Sequence, residues 1–246
     1  MQIIESVNNQ KIIELKKLQD KKNRYLQKRF IVEGYHLVEE AVHHNLLDYI
    51  LTINEDDFNK YHTDGYLVNQ KIIDKLSTTT SSQGIIGIVK MPDDTYNINN
   101  YQKIVLLDNI NDPGNLGTII RTSAALGIDA VITSLDTVDI YNEKVIRATQ
   151  GSIFKIPVIR CDLLEVIKSL KENNIKVLAT SLNTKNEIKD ISNLDSFAVV
   201  FGNEANGVRE EVFNLVDETF KINMYNDVES LNVAIACAIC IYHLTK

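Results

Sequence analysis

Three polar clusters in this chain hold residue types that suit chemistry on a ligand bearing phosphate and ribose. The first is Asn109, Asp112, Asn115 and Arg121, set around the turn Asp112-Pro113-Gly114-Asn115 and Gly117. The second is Gly202-Asn203-Glu204 with Gly207, and the third is Ser230-Leu231-Asn232. Arginine can grip a phosphate with paired N–H groups. Asparagine offers a donor and an acceptor on one side chain. A helix N-terminus adds unpaired N–H groups and the positive end of its dipole. No Cys or His nucleophile accompanies these residues, so their chemistry is one of positioning and electrostatics.

Such residues need a frame. Ile104–Leu107 is a short apolar run that reads as a buried strand. The glycine turn follows, then Ile119, Ile120, Ala124 and Leu126 recur at helical spacing until Gly127 stops the helix. Strand, glycine turn and helix present backbone N–H groups to a nucleotide-like ligand, and Arg121 falls at the mouth of that unit. Further strands are expected at 130–133, 156–159, 176–182, 198–201 and 219–224. Helices are expected at 142–150, 163–173, 209–216 and 230–244. Alternating β and α with nearly all-apolar strands predicts a mostly parallel sheet covered on both faces. Ligands of such sheets sit beyond the carboxyl ends of the strands, where all three clusters fall.

Several function classes drop out. Gly114-x-x-Gly117 is not the G-x-G-x-x-G of a dinucleotide fold, and no ribose-binding acid follows it, which argues against a nicotinamide enzyme. Cys237-x-x-Cys240 lies inside the apolar run 234–244 and reads as core; no second CxxC or histidine pair completes a zinc site, so no metal is expected. With Cys161 these thiols make no disulfide framework, which suits a reducing cytoplasm. No stretch approaches the ~20 apolar residues of a membrane span, and no signal-peptide layout opens the chain. Of the 246 residues, 44% are hydrophobic, enough for one or two domains with a real core. The net charge of −7 is uneven: residues 1–36 carry eight Lys/Arg against four Asp/Glu. A basic arm can grip phosphates while the acidic bulk limits non-specific sticking.

Together the three clusters resemble the SpoU (TrmH-type) family of RNA ribose 2′-O-methyltransferases. Asn109, Asp112, Pro113, Asn115, Gly117, Ile119, Arg121 and Thr122 match its N…DPxNxGxIxRT motif. Gly202, Asn203, Glu204 and Gly207 match its GNExxG turn, and Ile222, Met224, Ser230, Leu231, Asn232 and Val233 match most of IPMxGxxxSLNVS. Asn223, Asn226 and Ala234 stand where that last motif has proline, glycine and serine; Asn226 tolerates the left-handed backbone that a glycine turn uses. Arg147-Ala148-Thr149-Gln150-Gly151 approximates a further RxSxGA segment.

The resemblance implies an α/β chain in two domains: a small α/β, ribosomal-protein-like RNA-binding domain over 1–92, a linker over 93–102, and a catalytic domain over 103–246. The catalytic domain is a mostly parallel sheet with a deep carboxy-terminal trefoil knot. It implies S-adenosylmethionine as cofactor, held around Thr180, Ser181, Gly202, Asn203, Gly207, Ile222, Met224 and Leu231. It implies a homodimer and a structured RNA substrate, with ribosomal RNA, and a 23S guanosine in particular, favoured over tRNA. Arg121, Asn115, Ser230, Asn232 and Glu204 are then the catalytic set. Arginine stays protonated in proteins, so Arg121 reads better as a phosphate clamp and alkoxide stabiliser than as a base.

The amino-terminal region reads as one helix from Asn8 to Lys28, then the strand Phe30-Ile31-Val32-Glu33-Gly34, a helix through Ala41, and strands at 49–53, 66–68 and 85–89. Lys21, Lys22, Arg24, Lys28 and Arg29 are its candidate RNA contacts. Ser82-Gln83-Gly84-Ile85 and the FIVEG segment add to the likeness to the family's RNA-binding domain. The competing expectation is a non-catalytic RNA-binding or ribosome-assembly factor that kept the fold.

Overall fold

The structure is a computed structural model that describes residues 2–92, 96–191 and 194–246. In chain order the first elements are β1 (Gln2–Ile4), α1 (Gln10–Lys16), α2 (Lys21–Gln27), β2 (Arg29–Glu33), α3 (Tyr35–His43), β3 (Leu47–Thr52), α4 (Asp56–Tyr61), β4 (Gly65–Val68), α5 (Gln70–Leu76) and β5 (Ile85–Lys90). Then come β6 (Lys103–Leu107), α6 (Pro113–Ala125), β7 (Ala130–Thr133), α7 (Glu143–Thr149), β8 (Val158–Arg160), α8 (Leu163–Glu172), β9 (Lys176–Thr180), β10 (Phe197–Phe201), α9 (Glu210–Phe213), β11 (Glu218–Phe220) and α10 (Val233–Leu244).

The chain forms two compact units, Met1–Asp93 with Tyr141–Phe154, and Asp94–Ile140 with Lys155–Lys246. The division is therefore not the collinear one expected, because α7 and its flanks pack with the first unit. Part of the expected linker, 93–95, lies outside the described residues. The rest of it forms a 3-10 turn at Ile98–Asn100, and Tyr96, Ile98 and Tyr101 pack on the core of the second unit.

The first unit holds a mixed five-stranded sheet, β1-β4-β3-β5-β2. Two-residue alternation distributes its side chains between two cores. Ile31, Ile86 and Ile88 face Ile12, Leu15 and Leu18 and the buried side of α5, while Phe30, Val32, Ile85 and Val89 face Leu37, Val38 and Ala41 of α3. Ile146 joins the second core, and Tyr141 lies 4.8 Å from Phe30, ring centre to ring centre. One expectation fails here: the helix read over 8–28 is two helices. Asp20 breaks it with extended backbone at φ −91, and its carboxylate caps α2 by accepting from Lys22 N and Asn23 Nδ2. The apolar stripe continues across the break because both helices lean on one core, so periodicity alone hides it.

In the second unit six parallel strands run β11-β9-β10-β6-β7-β8. Ile104, Leu106, Ile132, Val177, Ala198 and Val200 bury one face under α8. The alternating Val105, Leu107, Val131, Leu178 and Val199 are buried as well, and α6 and α10 pack on each other as a further layer. Two helices are shorter than their patterns imply. α9 is a single turn, and α10 starts at Val233 rather than at Ser230.

Candidate active site

The site grows from the carboxyl ends of β6, β10, β9 and β11. Leu107 pairs with Phe201, Val200 with Ala179, and Thr180 with Phe220, so the segments leaving these four strands start from one edge. Beyond β6 comes Asp108, completely buried, which accepts from Arg209 N at 2.8 Å and Arg209 Nε at 2.7 Å. This charge-assisted pair ties the turn after β6 to the segment after β10. Nothing in the motifs pointed to it. The available signal was a carboxylate directly following four apolar strand residues, a position where burial demands a partner.

Asn109 follows at φ 59, and its carbonyl accepts from Asn203 Nδ2 at 2.9 Å. Asp112 then caps α6 by accepting from Asn115 N at 2.7 Å, with Pro113 in the first turn. The loop after β10 closes on itself through Asn203 N to Gly207 O at 3.0 Å and Gly207 N to Asn203 O at 2.8 Å. Gly202 has no alternative there, since a Cβ would sit 2.1 Å from the Gly207 carbonyl carbon.

That closure holds out Glu204, whose Oε1 accepts from Asn115 Nδ2 at 2.6 Å. Asn115 Oδ1 in turn accepts from Asn232 Nδ2 at 2.8 Å. Asn232 Oδ1 caps α10 by accepting from Ala234 N at 2.9 Å and Ile235 N at 3.4 Å. One hydrogen-bonded chain thus joins all three clusters, linking residues up to 117 apart in sequence. Asn115 and Asn232 each use both ends of their amide, which leaves neither group free to rotate.

Arg121 lies on the exposed side of α6 and makes no hydrogen bond or ion pair among the described residues. Its guanidinium is available to a ligand. Ser230 is exposed and outside the helix, so it is not the cap that the sequence placed there; Asn232 is. Thr180 ends β9 and Ser181 follows it, with Thr180 Oγ1 3.5 Å from Val200 O and Ser181 N on Phe220 O at 2.9 Å. Ile222, Met224 and Leu231 are half-buried in the segment between β11 and α10. Asn226 does take the left-handed turn, at φ 57, and Asp227 follows it there. Asn223 hydrogen-bonds Glu187, which with Lys189 holds the Glu187 carboxyl below its usual range.

The basic arm is less uniform than its sequence. Lys21 and Lys22 are exposed, but Arg24 is only 3% exposed, and its Nη1 donates to Leu18 O at 2.9 Å and Gln19 O at 2.8 Å. Arg24 is therefore a structural residue joining α2 to the preceding turn, and its place among the RNA contacts is corrected. Arg29 pairs with Asp48 at 2.7 Å, and Lys28 occupies the left-handed position that ends α2. Cys237 and Cys240 are buried, and burial pushes the Cys240 thiol up to about 12, far from a reactive or ligating thiolate. Among the described residues no group of His, Cys, Asp or Glu has the makings of a metal site, and no helix is long and apolar enough to cross a membrane.

Known proteins resemble this chain along nearly its whole length. The profile of the SpoU rRNA Methylase family matches residues 102–242, and that of the MRM3-like substrate binding domain matches 9–87. The 23S rRNA (guanosine(2553)-2′-O)-methyltransferase RlmP of Bacillus subtilis is 38% identical, over 99% of each chain. An AdoMet-bound rRNA methyltransferase from Sinorhizobium meliloti superposes with a TM-score of 0.90 at 27% identity, over 99% of this chain and 98% of that one. A crystal structure of an RNA 2′-O ribose methyltransferase gives a TM-score of 0.83 at 27% identity, over 98% of this chain and 97% of that one.

Proposed function

Because the chain belongs to the SpoU rRNA methylase family, we propose that its substrate is a ribose 2′-hydroxyl of 23S ribosomal RNA, on a guanosine, rather than a tRNA nucleotide. The chain is an S-adenosylmethionine-dependent RNA ribose 2′-O-methyltransferase. The observation that carries this reading is the chain of hydrogen bonds from Glu204 through Asn115 to Asn232.

The residues present suit the methyl donor. Ile222, Met224 and Leu231 offer half-buried apolar walls, and Thr180 and Ser181 add hydroxyls at the neighbouring strand end. When bound, S-adenosylmethionine supplies an electrophilic methyl on a sulfonium. The protein's task is to hold the 2′-oxygen in line with it and to stabilise that oxygen as its proton passes to solvent water. Arg121 does the second, clamping the adjacent phosphate and the forming alkoxide through paired N–H bonds while staying protonated. Asn115, locked by Glu204 and Asn232, orients the ribose. Ser230 and the first turn of α10 lie where a phosphate gains from the helix dipole.

The working unit in this reading is a cytoplasmic homodimer with a knotted catalytic domain. Support for the dimer comes from α10, whose outward Ile235, Ile239 and Tyr242 are 51%, 40% and 53% exposed. An apolar stripe of this kind on an otherwise buried helix calls for a partner surface. The departures Asn223 and Asn226 motivate the alternative of a non-catalytic factor, and the left-handed backbone of Asn226, at φ 57, supports the enzyme by keeping a turn there. Calorimetry with S-adenosylmethionine and transfer of its labelled methyl to 23S rRNA test the proposal. Binding with transfer is the expected result, and RNA binding without either overturns it.

A further inference from the structure

On the α1 side of the first sheet the apolar cover ends before the sheet does. Leu51, Ile86 and Ile88 are sealed under α1 and α5, but Ile31, Tyr49 and Tyr66 are only partly covered. Tyr49 on β3 and Tyr66 on β4 meet edge to face, with ring centres 5.7 Å apart. Lys11 of α1 reaches over both, its Nζ 5.1 Å from the Tyr49 ring centre and 5.8 Å from that of Tyr66. Arg29 opens β2 and Lys90 closes β5, directly opposite each other in the ladder.

Like charges set across a ladder repel. Here one carboxylate answers both: Asp48, at the bulge before Tyr49, lies 2.7 Å from Arg29 Nε and 3.4 Å from Lys90 Nζ. Both Arg29 Nη groups are left without a partner among the described residues. Lys11 has no carboxylate, because Glu14, one turn along α1, is paired with Lys17 at 2.8 Å. Burial works against the Lys11 charge, yet its hydrogen bond to Tyr49 and the two tyrosines together hold its pKa above the ordinary lysine value, with Arg29 opposing. Lys11, Arg29 and Lys90 thus share a single ion-paired carboxylate, in a chain whose net charge is −7.

That combination narrows the ligand. An anion answers the unmatched cations, and the open parts of the rings suit a flat group with a π-face. RNA whose bases are unpaired offers both along one strand, phosphates for the cations and bases that stack on aromatic side chains. Duplex RNA hides its base faces, and free phosphate has none, so either would meet the cations alone.

Resting on the RNA methyltransferase reading, we propose that this face of the first unit binds an unpaired stretch of the RNA substrate. Its phosphates lie on Lys11, Arg29 and Lys90, and a base lies against Tyr66. Of these residues only Arg29 stood among the contacts that the sequence suggested, since the others come from segments that meet only in the folded sheet.

The test uses the full chain with a fluorescein-labelled oligouridine dodecamer and a labelled RNA duplex of the same length, read by fluorescence anisotropy over a series of KCl concentrations. Lys11→Gln with Lys90→Gln flattens the slope of log affinity against log salt for the single strand by roughly 1.4, the loss of two phosphate contacts, and Lys90→Gln alone gives about half of this. Tyr66→Leu weakens single-strand binding about tenfold and leaves duplex binding unchanged, whereas Tyr66→Phe binds both as the wild type does. Affinity for S-adenosylmethionine, measured by calorimetry, stays at the wild-type level in every variant. An unchanged slope in both lysine variants overturns the assignment. So does an equal flattening from Lys71→Gln with Lys168→Gln, two exposed lysines on α5 and α8, or a Tyr66→Leu chain that binds the single strand at full strength. Any of these with methyl transfer intact removes only this surface. A wild-type chain that neither binds the donor nor transfers methyl fails at the enzyme reading and takes the RNA surface with it.

Discussion

The rim of the parallel sheet and the basic amino-terminal arm are both rich in polar residues, yet they are built in opposite ways. At the rim Asp108 and the asparagines are each held by a partner: Asp108 by Arg209, Asn203 by Asn109, and Asn115 by both Glu204 and Asn232. In the arm, neighbouring cations of the same type meet unrelated fates. Lys21 and Lys22 face water, Arg29 pairs with Asp48, and Arg24 is buried against two carbonyls. A fixed network places a reacting group within a fraction of an ångström, whereas a phosphate-tracking surface needs only charge in the right region. Composition therefore says little about which arm residues touch RNA, while spacing says a good deal about the rim.

This contrast breaks most visibly at Asp108. Asp108→Ala removes a buried carboxylate with its two hydrogen bonds to Arg209 and should destabilise the second unit by about 3 kcal/mol, seen as a lowered midpoint in urea. A loss below about 1 kcal/mol would mean that the pair does not hold the two turns together. Next in size is Arg121→Ala, expected to lower the methyl-transfer rate roughly 10²–10³-fold with the melting temperature and donor affinity unchanged. An unchanged rate removes Arg121 from the chemistry.

Arg24→Met sharpens the other side of the comparison. It should cost about 2 kcal/mol by stranding the Leu18 and Gln19 carbonyls, without changing the salt dependence of RNA binding. The smallest effect belongs to Lys21→Ala with Lys22→Ala. That pair should leave stability unaltered and reduce the slope of log affinity against log salt by roughly 0.7–0.9 per lysine in phosphate contact. If Arg24 changes the slope and the lysines do not, the division between structural and RNA-facing cations is reversed.

These particulars also show what a single sequence discloses. The turns at Asp112, Gly202 and Asn226 were legible because few residue types satisfy a helix cap, a Cβ-free approach or a left-handed backbone. The strands of the second sheet were legible because burial on both faces leaves them almost wholly apolar. The break at Asp20 was not, since two helices leaning on one core share a single stripe. Nor was the packing of α7 with the first unit, because affiliation between segments distant in sequence leaves no local periodicity. Asp108 and Arg209 were missed for the same reason: 101 residues separate two groups that only the fold introduces to each other.

The most direct test of the whole account is a nucleotide-resolution map of 2′-O-methylation in unmethylated 23S rRNA. The RNA is incubated with S-adenosylmethionine and either the purified chain or its Arg121→Ala variant. The account predicts one newly methylated ribose with the wild type and none with the variant. A map left unchanged by a wild-type chain that binds the donor, or a variant that methylates as well as the wild type, would contradict it.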